Sequence, residues 1–594
     1  MRSVGRAFGL VVAAVLAIAA LVSPRGTSAS GVIVDAALRQ AMSAAAPDAV
    51  LSAIVTYDHQ PAADDLSALT ALGISAAPLQ KLPMVGVLAT ASQLERVESL
   101  AGIRSLYLNR PMEYFLRETV GAIGALDVRS AYGYQGDGVG VAVIDTGVDG
   151  THADLTLGEE TVQNVKIVGL QYAAGVDLDT LNLPRYYLED QQNTDTTGGH
   201  GTHVAGIIGA SGQASNGRYT GVAPKADLIG LGAGDGIEIF SALAGFDWVL
   251  ANQQELNIRV VNCSWGNIIP GFDPDNPVNV ATKAVHDAGV AVVFAAGNSG
   301  SKTDTLNTYS VAPWVIGVAA GGNVETLNKT EKSVASFSSR GIPGDDFYHP
   351  TLTAPGALVI SDRSSTGTTT NATTAATDPL LMAYLDPEGV QYLPYYTIAN
   401  GTSMAAPHVA GAIALLVEAN PSLTPDVIKR VLVNTATPMP DFQEYAAGAG
   451  YLDVKAAVDQ ALAIRNVRSY RDPRTGKDEQ VYDLTGSWNG TVDASLPGMV
   501  ASDLHTVDIP EGTVSLDVAV DWDLVTSDLS LYLYDPQGNL QAKSEVQQVV
   551  SQYANETVHV DAPVAGTWTV KVSGNLNAPQ AYTGTSNAVV LVHP

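Results

Sequence analysis

The chain reads as an α/β protein: a three-layer unit built on a mostly parallel sheet, preceded by a small α/β unit and followed by an all-β sandwich. Three observations predict this. From about residue 116 to 463, apolar runs of strand length alternate with helical stretches, the pattern of a parallel sheet covered on both faces. Residues 30–115 repeat that alternation on a smaller scale. From 481 to 594 apolar and polar residues alternate singly, as in strands with one buried face.

At 594 residues the chain is too long for one ordinary domain, and 46% hydrophobic residues are enough for several cores. With 31 basic against 60 acidic residues the net charge is −29, which argues against nucleic acid as a partner and suits a solvated acidic surface. Cys263 is the only cysteine, so neither an intrachain disulfide nor a thiolate metal cluster can form.

In chain order, Arg2 and Arg6 precede an apolar run over 10–22 and the small residues Thr27, Ser28 and Ala29, which predicts a signal peptide over 1–29. The run is shorter than the ~20 residues of a membrane span, so no membrane contact is expected after its removal. Within 30–115, strands are expected at 49–57, 84–89 and 103–108 and helices at 64–72 and 92–100. In the central unit, 116–463, buried strands are expected at 139–144, 227–231, 259–263, 290–295 and 315–319. The Ser- and Thr-rich stretch 364–377 reads as a surface insertion loop. Residues 464–480 are charged and contain Pro473 and Gly476, which suggests a linker. In 481–594, strands are expected at 514–520, 529–534, 556–560 and 567–572, with a tight turn at Asp535-Pro536-Gln537-Gly538-Asn539.

In open α/β sheets sites form beyond the carboxyl ends of the strands. Those ends read Asp145, Gly232-Ala233-Gly234, Ser264-Trp265-Gly266 and Gly297-Asn298. A further stretch, Asn400-Gly401-Thr402-Ser403-Met404-Ala405-Ala406-Pro407, reads as a turn into an apolar helix, with Thr402 and Ser403 at cap positions and Pro407 in the first turn. A hydroxyl there has free backbone N–H groups and a favourable dipole beside it. His200, between glycines in Gly198-Gly199-His200-Gly201-Thr202-His203, opens another helix. Serine is a poor nucleophile until a base takes its proton, and the base needs a group to fix its tautomer. Ser403, His200 and Asp145 supply those roles. Taken singly, Asp145 closes a strand, Ser403 caps a helix, and His200 with His203 resembles a metal pair, though no carboxylate or cysteine completes a set nearby.

The motifs Asp145-Thr146-Gly147, His200-Gly201-Thr202-His203-Val204-Ala205-Gly206 and Gly401-Thr402-Ser403-Met404-Ala405-Ala406-Pro407, in that order, resemble the signatures of the subtilisin-like serine proteases, the subtilases. The resemblance implies serine endopeptidase activity with Asp145, His200 and Ser403 as the triad and Asn298 as an oxyanion donor. It implies pairing of extended polypeptide substrates with Gly234-Asp235-Gly236 and Ser264-Trp265-Gly266, and a pocket lined by Ala295-Ala296-Gly297. It further implies that 30–115 is an inhibitory, self-cleaved pro-segment of a secreted, monomeric enzyme, and that 481–594 is an appended module. No cofactor is expected for the chemistry. Structural calcium is left open, because the loop Ser211-Gly212-Gln213-Ala214-Ser215-Asn216-Gly217 has no carboxylate. The rival expectation is a non-catalytic surface or adhesion protein that binds through 481–594.

Overall fold

The computed structural model describes residues 32–109, 113–114, 121–170, 186–268, 271–322, 332–374, 377–471, 478–495, 499–523, 527–546, 554–575 and 578–592. The expected signal peptide lies outside them.

In the N-terminal unit, Val50–Tyr57 pairs antiparallel with both Met84–Thr90 and Ile103–Leu108, and two short edge strands complete a five-stranded sheet. Its helices lie on one face around Leu38, Val55, Leu69, Val87, Leu94 and Leu106. Asp35 caps the helix Ala36–Ala44, which the sequence pattern did not mark because only Leu38 in it is buried. The other face presents Ile54 and Met84 to Phe240 and Leu243 of the central unit. The approach is close enough that a Cβ on Gly86 would lie 2.4 Å from the Phe240 ring.

The central sheet has eight strands: β1 (Gly140–Asp145), β2 (Thr161–Ile167), β3 (Tyr187–Leu188), β4 (Asp227–Gly232), β5 (Ile258–Cys263), β6 (Ala291–Ala295), β7 (Val315–Gly321) and β8 (Leu352–Pro355). Their order is β8-β7-β6-β5-β1-β4-β2-β3, parallel except for β3. From β1 the chain builds outward on one side, fills the gap with β4, then crosses to β5 and builds outward on the other. That reversal puts the switch point at the carboxyl end of β1, where a site is expected. Helices α1 (His200–Gly209), α2 (Ile239–Asn252), α3 (Pro277–Asp287) and α4 (Thr402–Ala419) cover the sheet, α4 being buried along nearly its whole length.

Two expectations are corrected. The stretch expected as an insertion loop contains the helix Thr368–Thr374, which packs onto the segment before His200: Thr370 Oγ1 donates to Gly198 O at 2.7 Å, and Thr369 N donates to Thr197 O at 3.0 Å. Threonine hydroxyls that look solvent-directed in sequence here saturate a neighbouring backbone. The expected linker is in fact the strand Ile464–Arg471, paired antiparallel with Asp478–Val492, while Pro473 and Gly476 fall outside the described residues. Its arginines belong to an edge strand, with Arg468 2.7 Å from Asp483. The C-terminal unit is two antiparallel sheets of five and four strands. It includes long strands the sequence pattern did not mark, among them Val500–Ile509 and Gln580–Val592.

Candidate active site

Every residue of β1 is buried, and the strand ends on Asp145 beside Gly232 of β4. Asp145 Oδ1 accepts from Thr146 N at 2.8 Å and meets His200 Nδ1 at 2.6 Å. Both side chains are almost wholly inaccessible. An acceptor at this ring nitrogen holds its hydrogen there and leaves the other nitrogen as the basic one.

The backbone at His200 is fixed from two sides. Thr146 Oγ1 accepts from Gly201 N at 2.8 Å, tying α1 to the turn that follows Asp145. Asp195, fully buried, accepts from Gly199 N at 2.7 Å, Thr202 N at 3.0 Å and Thr202 Oγ1 at 2.6 Å. A carboxylate on the first amides of α1 satisfies donors that have no partner within the helix. Burial pushes its pKa up, and these bonds oppose that shift.

His203, one turn on, is pushed down to about 3, mainly by burial and then by the charge of His200. It is therefore uncharged, with a single hydrogen on its ring. Burial does the same to His408, also lowered to about 3. Among the described residues no third ligand gathers with His200 and His203, so the metal pairing is not formed.

Ser403 is the second residue of α4, after Thr402, with Gly401 as N-cap. Pro407 lies in the second turn, not the first as expected from sequence. Four residues after Ser403, it withholds the amide that would otherwise bond the Ser403 carbonyl. Ser264 fills that vacancy: its Oγ donates to Ser403 O at 2.8 Å, while Ser403 Oγ donates to Ser264 O, also at 2.8 Å. Asn262 Nδ2 in turn donates to Ser264 Oγ at 2.9 Å. This reciprocal exchange locks the nucleophile candidate onto the carboxyl end of β5.

Asn298 follows β6 and is partly exposed. Its Oδ1 accepts from Thr402 N at 3.0 Å and Thr402 Oγ1 at 2.9 Å, so the amide N–H groups are turned away from Thr402. Among the described residues Nδ2 has no acceptor. Thr402 Oγ1 also accepts from Gly297 N at 3.0 Å, joining the Asn298 turn to the start of α4.

Trp265 is a core side chain, with Nε1 donating to Ile144 O at 2.6 Å, and its backbone serves the cleft. The strand Trp265–Gly266 pairs antiparallel with Glu113–Tyr114 from the N-terminal side of the chain. Gly266 must be glycine, because a Cβ would lie 2.1 Å from the Asn307 amide. Asn307 Nδ2 donates to Trp265 O at 3.0 Å and Ala295 O at 2.8 Å, bracing both walls. Ala295, Ala296 and Gly297 are buried beside it. Gly234, Asp235 and Gly236 form a loop past β4, with Asp235 and Gly236 exposed. The structure thus brings Asp145 to His200, Ser403 to Ser264, and Asn298 to Thr402, the residue before Ser403.

Sequence reasoning missed Asp195, Asn307 and the orienting role of Thr402. Only Thr402, adjacent to the serine, carried any signal. For calcium, the loop over 211–217 offers no carboxylate of its own.

The subtilase family profile matches residues 136–463, and that of the bacterial pre-peptidase C-terminal domain matches residues 501–574. The chain belongs to the subtilase family. It is 32% identical to serine protease AprX of Bacillus subtilis (strain 168) over 372 residues, 60% of this chain and 75% of that one. It is 31% identical to subtilisin DY of Bacillus licheniformis over 334 residues, 56% of this chain and 94% of that one. Fervidolysin from Fervidobacterium pennivorans, a keratinolytic enzyme related to subtilisin, shares the fold at a TM-score of 0.52 and 19% identity, covering 90% of this chain and 88% of its own. The protein is a subtilisin-like serine peptidase acting on polypeptides, and the expectation of a non-catalytic surface protein is set aside.

Proposed function

We propose that this subtilase is a secreted, monomeric endopeptidase of broad specificity, made as a precursor that cleaves itself. Ser403 Oγ attacks the scissile carbonyl as His200 takes its proton, and the hydrogen on Nδ1 stays on the ring, donated to the Asp145 carboxylate. To react, the hydroxyl must leave Ser264 O for the imidazole. The negative oxygen that forms is met by Asn298 Nδ2 and by the Ser403 N–H, one of the first-turn amides with no acceptor in its own helix. His200 then gives its proton to the leaving amine, and water reverses the sequence. Metal has no part in these steps.

The observation that carries the finer reading is the antiparallel pairing of Glu113–Tyr114 with Trp265–Gly266. A strand from the chain's own N-terminal side occupies the place where an extended substrate would pair, following a unit docked on α2. Main-chain pairing recognises almost any extended polypeptide, which supports broad specificity, with the loop of Gly234, Asp235 and Gly236 as the facing edge and Ala295, Ala296 and Gly297 as the pocket. Residues 30–115 then act as an intramolecular inhibitor whose junction is the first bond Ser403 meets, at an effective concentration no free substrate matches. Expressed in a host without extracellular proteases, the wild type should split between about residues 107 and 126, and Ser403→Ala should stay whole by intact mass. Clipping of the alanine variant at the same bond and rate refutes self-processing.

A further inference from the structure

Beside the helix that carries His200 lies a second group of ionisable side chains that proteolysis does not use. His152, Asp154 and Asp362 are all buried, and one donor atom from each lies within 4.8 Å of the others. Asp362 is wholly inaccessible, and neither of its oxygens accepts from a donor group; its neighbour on that side is the Asp154 carboxyl. It is aimed into the group, with Oδ2 3.8 Å from His152 Nδ1. An unpaired carboxylate in such a place is tolerated only as the neutral acid or bound to a cation. Among the described residues no lysine or arginine pairs with Asp154 or Asp362, and Glu160 adds negative charge nearby.

The outer partners are those a metal site needs. His152 Nε2 meets Tyr395 O at 2.9 Å, which places the ring hydrogen on that nitrogen and turns the Nδ1 lone pair toward the carboxylates. Nδ1 receives only a long bond from Asp154 N, at 3.2 Å. Asp154 Oδ1 accepts from Ala214 N at 2.7 Å and Oδ2 from the Tyr396 hydroxyl, so that carboxylate is oriented while each oxygen keeps a lone pair.

We propose that His152, Asp154 and Asp362 bind one divalent transition-metal ion, Zn²⁺ or Mn²⁺, as a structural site. One imidazole and two carboxylates form the mixed nitrogen–oxygen set such ions take, whereas Ca²⁺ wants six or more oxygens. The ion would join the turn after β1 to the strand Val359–Asp362 and to Tyr395 and Tyr396. It would also back α1, since Ser361 Oγ donates to His203 O at 2.8 Å. This is stabilisation of the platform, independent of the chemical step.

The test uses the full chain carrying Ser403→Ala, which prevents self-digestion, stripped with a chelator and titrated with ZnCl₂, MnCl₂ and CaCl₂ by calorimetry and thermal melts. One Zn²⁺ or Mn²⁺ should bind per chain with a Kd of about 1 μM or tighter, and excess ion should raise Tm by roughly 5 °C. Calcium should do neither, and Asp362→Asn should lose the site and the shift. X-ray absorption at the zinc edge should show one imidazole with oxygens and no sulfur. The proposal fails if the stripped chain takes up neither ion stoichiometrically, or if uptake is unchanged in both Asp362→Asn and His152→Gln. It also fails if the spectrum lacks imidazole, a readout on the parent chain that stands even where a variant does not fold.

Discussion

The docking of the N-terminal unit turns on one carboxylate. Asp247, in the middle of α2, is fully buried and accepts from Gln80 N at 2.8 Å, Lys81 N, Leu82 N at 2.9 Å and Tyr187 Oη at 3.2 Å. Three successive amides on one anion make charge-assisted bonds, worth about 1.5–3 kcal/mol each against about 0.5–1.5 for neutral ones. Asp247→Asn keeps one acceptor oxygen and turns an NH₂ toward those amides. Because Gln80 and Lys81 are exposed, their amides regain water once the units separate. Losing one bond and weakening the others should therefore cost about 3 kcal/mol of association, roughly a 150-fold rise in Ki. The assay is inhibition of the processed protease by an added 30–115 polypeptide, alongside kcat/KM on a short peptide. Ki should rise and kcat/KM should hold, since none of Asp145, His200, Ser403 or Asn298 touches Asp247. An unchanged Ki refutes the reasoning and assigns docking to the apolar contact of Ile54 and Met84 with Phe240. An equal fall in kcat/KM makes Asp247 a support of the peptidase itself.

Asn298→Leu should lower kcat by about 10²–10³ with little change in KM, and Thr402→Val, which removes one of the two bonds orienting Asn298, should lower kcat by about tenfold with the same split; a mainly KM effect removes either from the oxyanion role. Ser264→Ala strands the Ser403 carbonyl, so adding Pro407→Ala, which restores an amide to it, should recover about 1 kcal/mol more stability in that background than in the wild type. Denaturant melts of the four proteins measure this coupling, and simple additivity would sink it. Burial lowers the pKa of His286, but Asp426 at 3.0 Å and Asp287 at 3.1 Å prevail and hold it above its ordinary value. That stability is present below the unfolded value and lost as pH rises through the raised one, so His286→Gln should cost about 0.5–1 kcal/mol near pH 5.5 and little near pH 9 in paired melts.

The central strands were legible because each is a short apolar run that ends in a turn of small residues, and burial on both faces leaves no other reading of such runs. The triad candidates were legible for a related reason: Asp145, His200 and Ser403 each sit where regular structure begins or ends, and glycines mark those places in sequence. Ile464–Arg471 was not legible, because an edge strand needs only one partner and carries charge outward, giving it the composition of a linker. Thr368–Thr374 failed similarly, since its hydroxyls bond backbone carbonyls 171 and 172 residues away in sequence.

Pro407 shows most clearly where local reasoning stops. In sequence a proline near a helix start suggests the first turn, where its missing amide has no consequence. One turn further in, the same residue opens the carbonyl of Ser403, and the answer comes from Ser264, on a strand end 139 residues earlier. Neither residue explains the other from its own neighbourhood. Together they account for why a serine hydroxyl, mobile by nature, is held at a fixed point beside Asn298 and the first amides of α4. The position of the proposed nucleophile is thus a property of β5 as much as of the helix that carries it.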